Sequence, residues 1–362
     1  MPTPVPAVNI VNMKTINEKL EQWAIGKIEA EFHDDVCLVL RHKTLKLDRD
    51  SGVTGLESYV PNTTRSNALA RTFIINGIGY DLFPQTWESL EKMADVDHYN
   101  LTSLNDAEII WAQRETDRQR FESLQARFRA NLRNPDLMLK RAQNWVNSAA
   151  DLFADMLFET KVYMVRQNAG YICDFLAMAI AYTNGTYFHH GHGGELDELK
   201  KLKNVPGGFG RMGNFIEKFE LTIIEKNIDL QKKFCRELIQ QTKNYLCSLT
   251  PQPQLKKHRA GELADWYHEL SYTWRRIYHY CDAGDAVTAY LWGCMLQGEL
   301  VQVAGEYDVT ELDIMGAYDS KNIKAFAESA AKAEQAITEA IKADGTRLDT
   351  YADIDEFLAK NN

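Results

Sequence analysis

Val36-Cys37-Leu38-Val39-Leu40, then Leu56-Glu57-Ser58-Tyr59-Val60, then Thr72-Phe73-Ile74-Ile75 continuing through Gly79-Tyr80-Asp81-Leu82-Phe83, carry the β-branched and aromatic texture of strands. The chain beyond Ser103 reads as helix. Two acids, Glu57 and Asp81, sit inside otherwise apolar strand runs. An acid there is costly to bury, so it is paired, exposed or functional. Between the first two runs lies a loop with Arg41, Lys43, Lys46 and Arg49. A strand, a basic turn and two strands bearing acids form an arrangement suited to a phosphate and a divalent metal. Alternation along a strand puts residues i and i+2 on one face, and a neighbouring strand can add a further acid.

Outward from that stretch, Ile16, Leu20, Trp23, Ala24, Ile28 and Phe32 fall at helical spacing, so an amphipathic helix over Met13–Phe32 precedes the first strand. Asn76-Gly77 predicts a two-residue hairpin turn, because both residues accept positive φ. Pro84-Gln85-Thr86-Trp87 opens a helix reaching about Met93. From Leu104 the texture is helical, with Asn105-Asp106-Ala107-Glu108 as a helix start. Long helices are predicted over about 136–158, 162–188, 230–247, 260–280, 286–305 and 323–343, with shorter ones between. The expected organisation is a sheet domain over 1–100, a helical bundle over 101–250 and a C-terminal helical segment over 251–362 packed with the bundle. No repeat at a fixed period is present.

Composition sets further bounds. The chain is 45% hydrophobic and 25% charged, ordinary for a globular protein. A net charge of −10 disfavours a broad nucleic-acid surface, while leaving room for a local basic loop on one phosphate. The six cysteines form no C-x-x-C pair and read as reduced core residues of a cytoplasmic protein. No apolar run approaches the ~18 residues of a membrane span, and the N-terminus lacks the basic start and apolar core of a signal peptide.

With these residues in view, positions 35 to 93 resemble the core of the nucleotidyltransferase fold shared by polymerase β and the antibiotic-modifying enzymes of the kanamycin and lincosamide type. The helical part from Leu104, with Ala181-Tyr182-Thr183-Asn184-Gly185-Thr186-Tyr187-Phe188 at a helix end, resembles the helical domain of the antibiotic enzymes. The resemblance implies an α+β fold: a small mixed sheet with flanking helices, followed by a larger all-α bundle. It implies transfer of a nucleoside monophosphate from Mg2+-bound ATP, or another nucleoside triphosphate, to a hydroxyl of a small molecule or protein.

The family's Gly-Ser falls on Lys43-Thr44. The first Asp of its Asp-x-Asp falls on Gly55, the second on Glu57, and the third Asp of the motif on Asp81. Glu57 and Asp81 are thus the expected metal ligands, and Lys43, Thr44 and Lys46 the expected phosphate contacts. Gly55 cannot bind a metal through a side chain, so the resemblance also admits a pseudoenzyme that binds a nucleotide or a protein. In the antibiotic enzymes a carboxylate of the helical domain activates the acceptor, and Glu159 and Asp174 are the candidates here.

Two other stretches bear chemistry. His189-His190-Gly191-His192-Gly193-Gly194-Glu195 holds zinc-type ligands, but its glycines favour a flexible loop. The aromatic run from Trp266 to Tyr280 reads chiefly as a packed helix, and otherwise as a cleft wall that stacks a ring.

Overall fold

The computed structural model describes residues 10–42, 58–75, 77–191, 194–207, 214–250, 260–307, 309–343 and 345–361. The fold is α+β: a small mixed sheet with flanking helices, then a run of helices. Close contacts divide the chain into two compact units, Met1–Pro251 and Gln252–Asn362, so residue 100 lies inside one unit.

In the first unit, α1 (Ile10–Lys27) runs into a π-helical turn over Ile28–Phe32 and leads to β1 (Val36–His42). Strands β2 (Ser58–Pro61), β3 (Arg71–Ile75) and β4 (Ile78–Pro84) follow. The sheet order is β3-β4-β2-β1-β5. β1 and β2 are antiparallel, β2 and β4 parallel, and β3 and β4 form an antiparallel hairpin from Arg71↔Leu82 to Ile75↔Ile78. Gly77 takes φ +79° at the turn, which suits a residue without Cβ; Asn76 lies outside the described residues.

The fifth strand corrects the sequence reading. Ala107–Ala112, expected to begin a helix, is β5, paired antiparallel to β1 across a register shift between Val39 and Leu40. The reason is tertiary. β1 buries side chains on both faces and needs a ladder partner on its open side, and the branched Ile109-Ile110 with Trp111 suit a pleated, half-buried surface. On one face Leu38, Leu40 and Val60 join the core of the helices, with Ile109 packed against it. On the other, Val39, Tyr59, Tyr80 and Leu82 pack under Ala24, Ile28 and Phe32, with Ile110 and Trp111 at the margin.

Helices α2 (Trp87–Ala94), α3 (Thr102–Asn105), α4 (Glu115–Leu132), α5 (Pro135–Phe158), α6 (Val162–Thr183), α7 (Glu195–Leu199), α8 (Phe215–Ile224) and α9 (Ile228–Leu249) complete this unit. Asn134 caps α5 through Leu137 N, with Pro135 at its first position, and Asn227 caps α9. α6 is the central helix, buried along Val165, Ala169, Ile172, Cys173, Leu176 and Ile180.

The second unit comprises α10 (Ala260–Asp282), α11 (Ala286–Glu306), α12 (Ile323–Ala343) and α13 (Ile354–Asn361). Its core gathers Trp274, Ile277, Leu296, Leu300, Phe326 and Ile337. Among the described residues no helix is long and apolar enough to cross a membrane.

Candidate functional site

Tyr171, Asp174, Phe175 and Met178 stand at i, i+3, i+4 and i+7 on α6, so they share one face of the helix. That face looks into a cleft of about 460 Å³. Trp145 of α5 packs on Phe175 with ring centroids 5.1 Å apart, and Tyr99 and Tyr187 extend the aromatic lining. The ionisable side chains on the lining are Asp174, Glu195, His189 and His190, besides tyrosines.

The segment after α6 is shaped for this position. Gly185 takes φ +67°, and a Cβ there would stand 3.0 Å from the Leu132 carbonyl oxygen. Asn184 donates to the Asn204 carbonyl (2.8 Å) and accepts from the Asn204 N–H (3.0 Å), clamping the turn. The chain then delivers Tyr187 and His189 to Asp106, at the entry to β5. Tyr187 Oη donates to Asp106 Oδ1 (2.9 Å), and Asn105 Nδ2 donates to Tyr187 Oη (2.8 Å). His189 Nδ1 lies 2.9 Å from Asp106 Oδ2. This hydrogen bond raises the imidazole pKa above its ordinary value, against the opposing effect of burial. It also places the Nδ1 proton toward Asp106, leaving Nε2 as the basic nitrogen of the neutral ring.

The next residues are tied down by Glu198 of α7, which accepts from the N–H groups of His189 (2.8 Å) and His190 (3.1 Å) and pairs with His190 Nδ1 (2.6 Å). Gly194 is required by close approach: its Cβ would fall 2.4 Å from His190 Cβ. Within the expected loop, His189 and His190 are hydrogen-bonded to three carboxylate oxygens. His192 lies outside the described residues. Among the described residues no group of three metal-ligating side chains occurs.

Glu195 opens α7 and is buried against Asp174. Burial comes first in raising its pKa to about 8, and the charge and hydrogen bond of Asp174 add to it. Near neutral pH the raised value leaves Glu195 protonated beside Asp174. The arrangement can hold a polar ligand against aromatic faces and exchange a proton with it. Among the described residues no lysine or arginine lines the cleft, so that lining suits neutral or cationic groups.

The residues singled out in the sequence take different places. Asp174 lines the cleft. Glu159 does not: it is half-buried between α5 and α6, where Oε1 accepts from the Thr160 N–H (2.8 Å) and Lys161 N–H (2.7 Å). Those donors hold its carboxyl below the ordinary range. It sits about 20 Å along α6 from Asp174, counted at the helical rise per residue. Asp81 is exposed on β4 and accepts from Thr72 Oγ1 (2.9 Å), its cross-strand neighbour. Glu57, Lys43, Thr44 and Lys46 lie outside the described residues, as do Gly55 and Arg49. Arg41, at the end of β1, binds Glu21 and Glu108. A single exposed carboxylate does not make a magnesium site, so the described residues alone do not build one; Asp81 would need Glu57 beside it.

The aromatic helix α10 is a packing element. Tyr267 and Tyr278 each donate to Glu334 at 2.8 Å, Arg275 pairs with the same carboxylate, and Trp274 Nε1 donates to the Ala330 carbonyl (3.1 Å).

Glu195, His189 and Asp106 were not foreseen as one site. The only available signal was an acid ending a His/Gly run one loop after α6. Asp106 was masked by its reading as a helix start.

No protein-family model and no curated protein matches the chain. Among solved structures it is similar to a nucleotidyltransferase-like protein from Exiguobacterium sibiricum 255-15. The two are 10% identical, with a TM-score of 0.34, over 63% of this chain and 75% of that one.

Proposed function

We propose that this protein is nucleotidyltransferase-like and that the aromatic cleft of its helical region holds the acceptor, a small molecule bearing a hydroxyl. The observation that carries this reading is the Asp174–Glu195 pair set in a cleft walled by Trp145, Phe175 and Tyr187. Glu195, its pKa raised to about 8, keeps its proton near neutral pH beside the Asp174 carboxylate. That carboxylate accepts a hydrogen bond from the bound hydroxyl and takes its proton as the oxygen attacks the α-phosphorus of the nucleoside triphosphate and pyrophosphate leaves. The aromatic faces position the acceptor and exclude water.

The nucleotide half of the reading rests on the motif resemblance. Glu57 and Asp81 would hold Mg2+, and Lys43, Thr44 and Lys46 the phosphates of ATP or another nucleoside triphosphate. When bound, the ion would offset the phosphate charge. A second reading has its own support. Gly55 replaces the first motif Asp, and the Asp81 carboxylate is engaged by Thr72. On that reading the protein binds a nucleotide or a protein partner without transferring anything.

Thermal stability followed during titration with each nucleoside triphosphate, with and without magnesium, separates the two. Magnesium-dependent stabilisation that disappears in Asp81→Asn supports transfer. Stabilisation by nucleotide alone supports binding. No response to any nucleotide removes both nucleotide readings.

A further inference from the structure

Helix α11 is apolar on two sides. Ala289, Gly293, Leu296, Leu300 and Val303 are buried in the core of the second unit. On the opposite side Val287, Leu291, Met295 and Val301 are 72%, 59%, 62% and 58% exposed, with Tyr290 at 42%. Cys294, Gly298 and Gly305 are exposed on the same side. Val287, Leu291, Cys294, Gly298, Val301 and Gly305 follow one another at spacings of four and three, the periodicity of a helix that packs along another helix. A helix apolar all round is normally covered all round.

We propose that this outer stripe is the interface with a second copy of the chain, α11 lying against α11 across a two-fold axis. The charge pattern selects that occupant. The chain carries a net charge of −10, and a two-fold axis sets the same patch against itself, so a patch bearing several carboxylates would repel its copy. The stripe bears none. The two acids of α11, Glu299 and Glu306, are half-buried; Glu299 accepts from Trp266 Nε1 at 3.3 Å, and Glu306 accepts from Gln302 at 3.1 Å.

The glycines agree. Gly293 is explained within the unit, since a Cβ would fall 2.4 Å from Phe326 Cζ. Gly298 and Gly305 have no atom within 4 Å of a built Cβ, so nothing in their surroundings calls for glycine; Gly298 lies in mid-helix, where glycine weakens the helix, and Gly305 lies one residue from the helix end. Seven residues apart on the stripe, they would let a second helix backbone approach closely. The area is sufficient. At roughly 150–200 Å² per large side chain, the exposed fractions give about 500 Å² per copy and about 1,000 Å² for the pair, the lower bound of a specific interface. An interface of this size is that of a weak dimer.

Sedimentation equilibrium of the full chain across the micromolar range tests this. The wild type should shift from single to double chain mass with rising concentration. Leu291→Asp should raise the dissociation constant at least tenfold with an unchanged circular dichroism spectrum. Gly298→Leu should weaken the dimer while raising the melting temperature of the monomer, an outcome that misfolding cannot imitate. A wild type that stays at single mass throughout overturns the proposal, and so does a dimer that neither substitution disturbs.

Discussion

Glu195 and His42 are two buried side chains whose pKa values burial moves in opposite directions, through desolvation of the charged form in each case, and they act in opposite pH windows. Glu195 has its pKa raised to about 8 from 4.5. Unfolded, it loses its proton as pH passes 4.5; folded, it keeps it until about 8. Its contribution to stability is therefore present in full below pH 4.5 and declines as pH rises to 8. Glu195→Gln keeps a hydrogen-bonding partner for Asp174 without the ionisation. Urea unfolding should show this variant gaining on the wild type as pH rises from 4.5 to 8, with no further gain above 8. His42 is buried on β1, stacked on Phe83 with Nε2 2.8 Å from Ser58 Oγ, and desolvation lowers its pKa to about 4 from 6.5. The unfolded chain takes up this proton below pH 6.5 while the folded chain refuses it until about 4. Stability is present in full above 6.5 and falls by up to about 3 kcal/mol towards pH 4. His42→Gln should flatten that acid limb, as measured by unfolding at pH 7 and pH 4.5.

At the scale of elements, the segment between α6 and α7 is held by backbone approach and carboxylate clamps. Gly194→Ala would set a Cβ against His190, so the loop must move. A loss of roughly 1–3 kcal/mol is expected in thermal unfolding, in line with overpacking elsewhere. Asp106→Asn removes the charge that raises the His189 pKa, and an NMR titration should find that imidazole titrating at lower pH than in the wild type. Much of this level was legible in the sequence. The long helices followed from 3.6-residue spacing, and the β3–β4 hairpin from Asn76-Gly77. β5 was not, because Ala107–Ala112 has strand texture only once β1 offers it an edge, and that edge is a non-local fact. The cleft was half legible. Asp174 could be suspected as an acid interrupting an apolar helix. Its partner Glu195 and the Asp106–His189 couple join residues from about 20 to over 80 positions apart, which no local spacing encodes.

Across the whole molecule, the two contact units each carry a hydrophobic core. The second gathers fifteen buried residues around Trp274 and Phe326. Expressed alone, residues 252–362 should show helical circular dichroism and a cooperative melt, and a broad, non-cooperative melt would count against independent folding. In the first unit the sheet and the helices share one core, so the cleft beside α6 is fixed to the same body as β1 and β5. The functional reading stands on that cleft and on the proton that Glu195 holds beside Asp174 in it. Its most direct test is a ¹³C NMR titration of the glutamate side-chain carboxyls, with Glu195→Gln used to assign the signal. One resonance titrating near pH 8, absent from that variant and shifted in Asp174→Asn, is the predicted result. A Glu195 carboxyl that titrates between pH 4 and 5 like its exposed neighbours would contradict it.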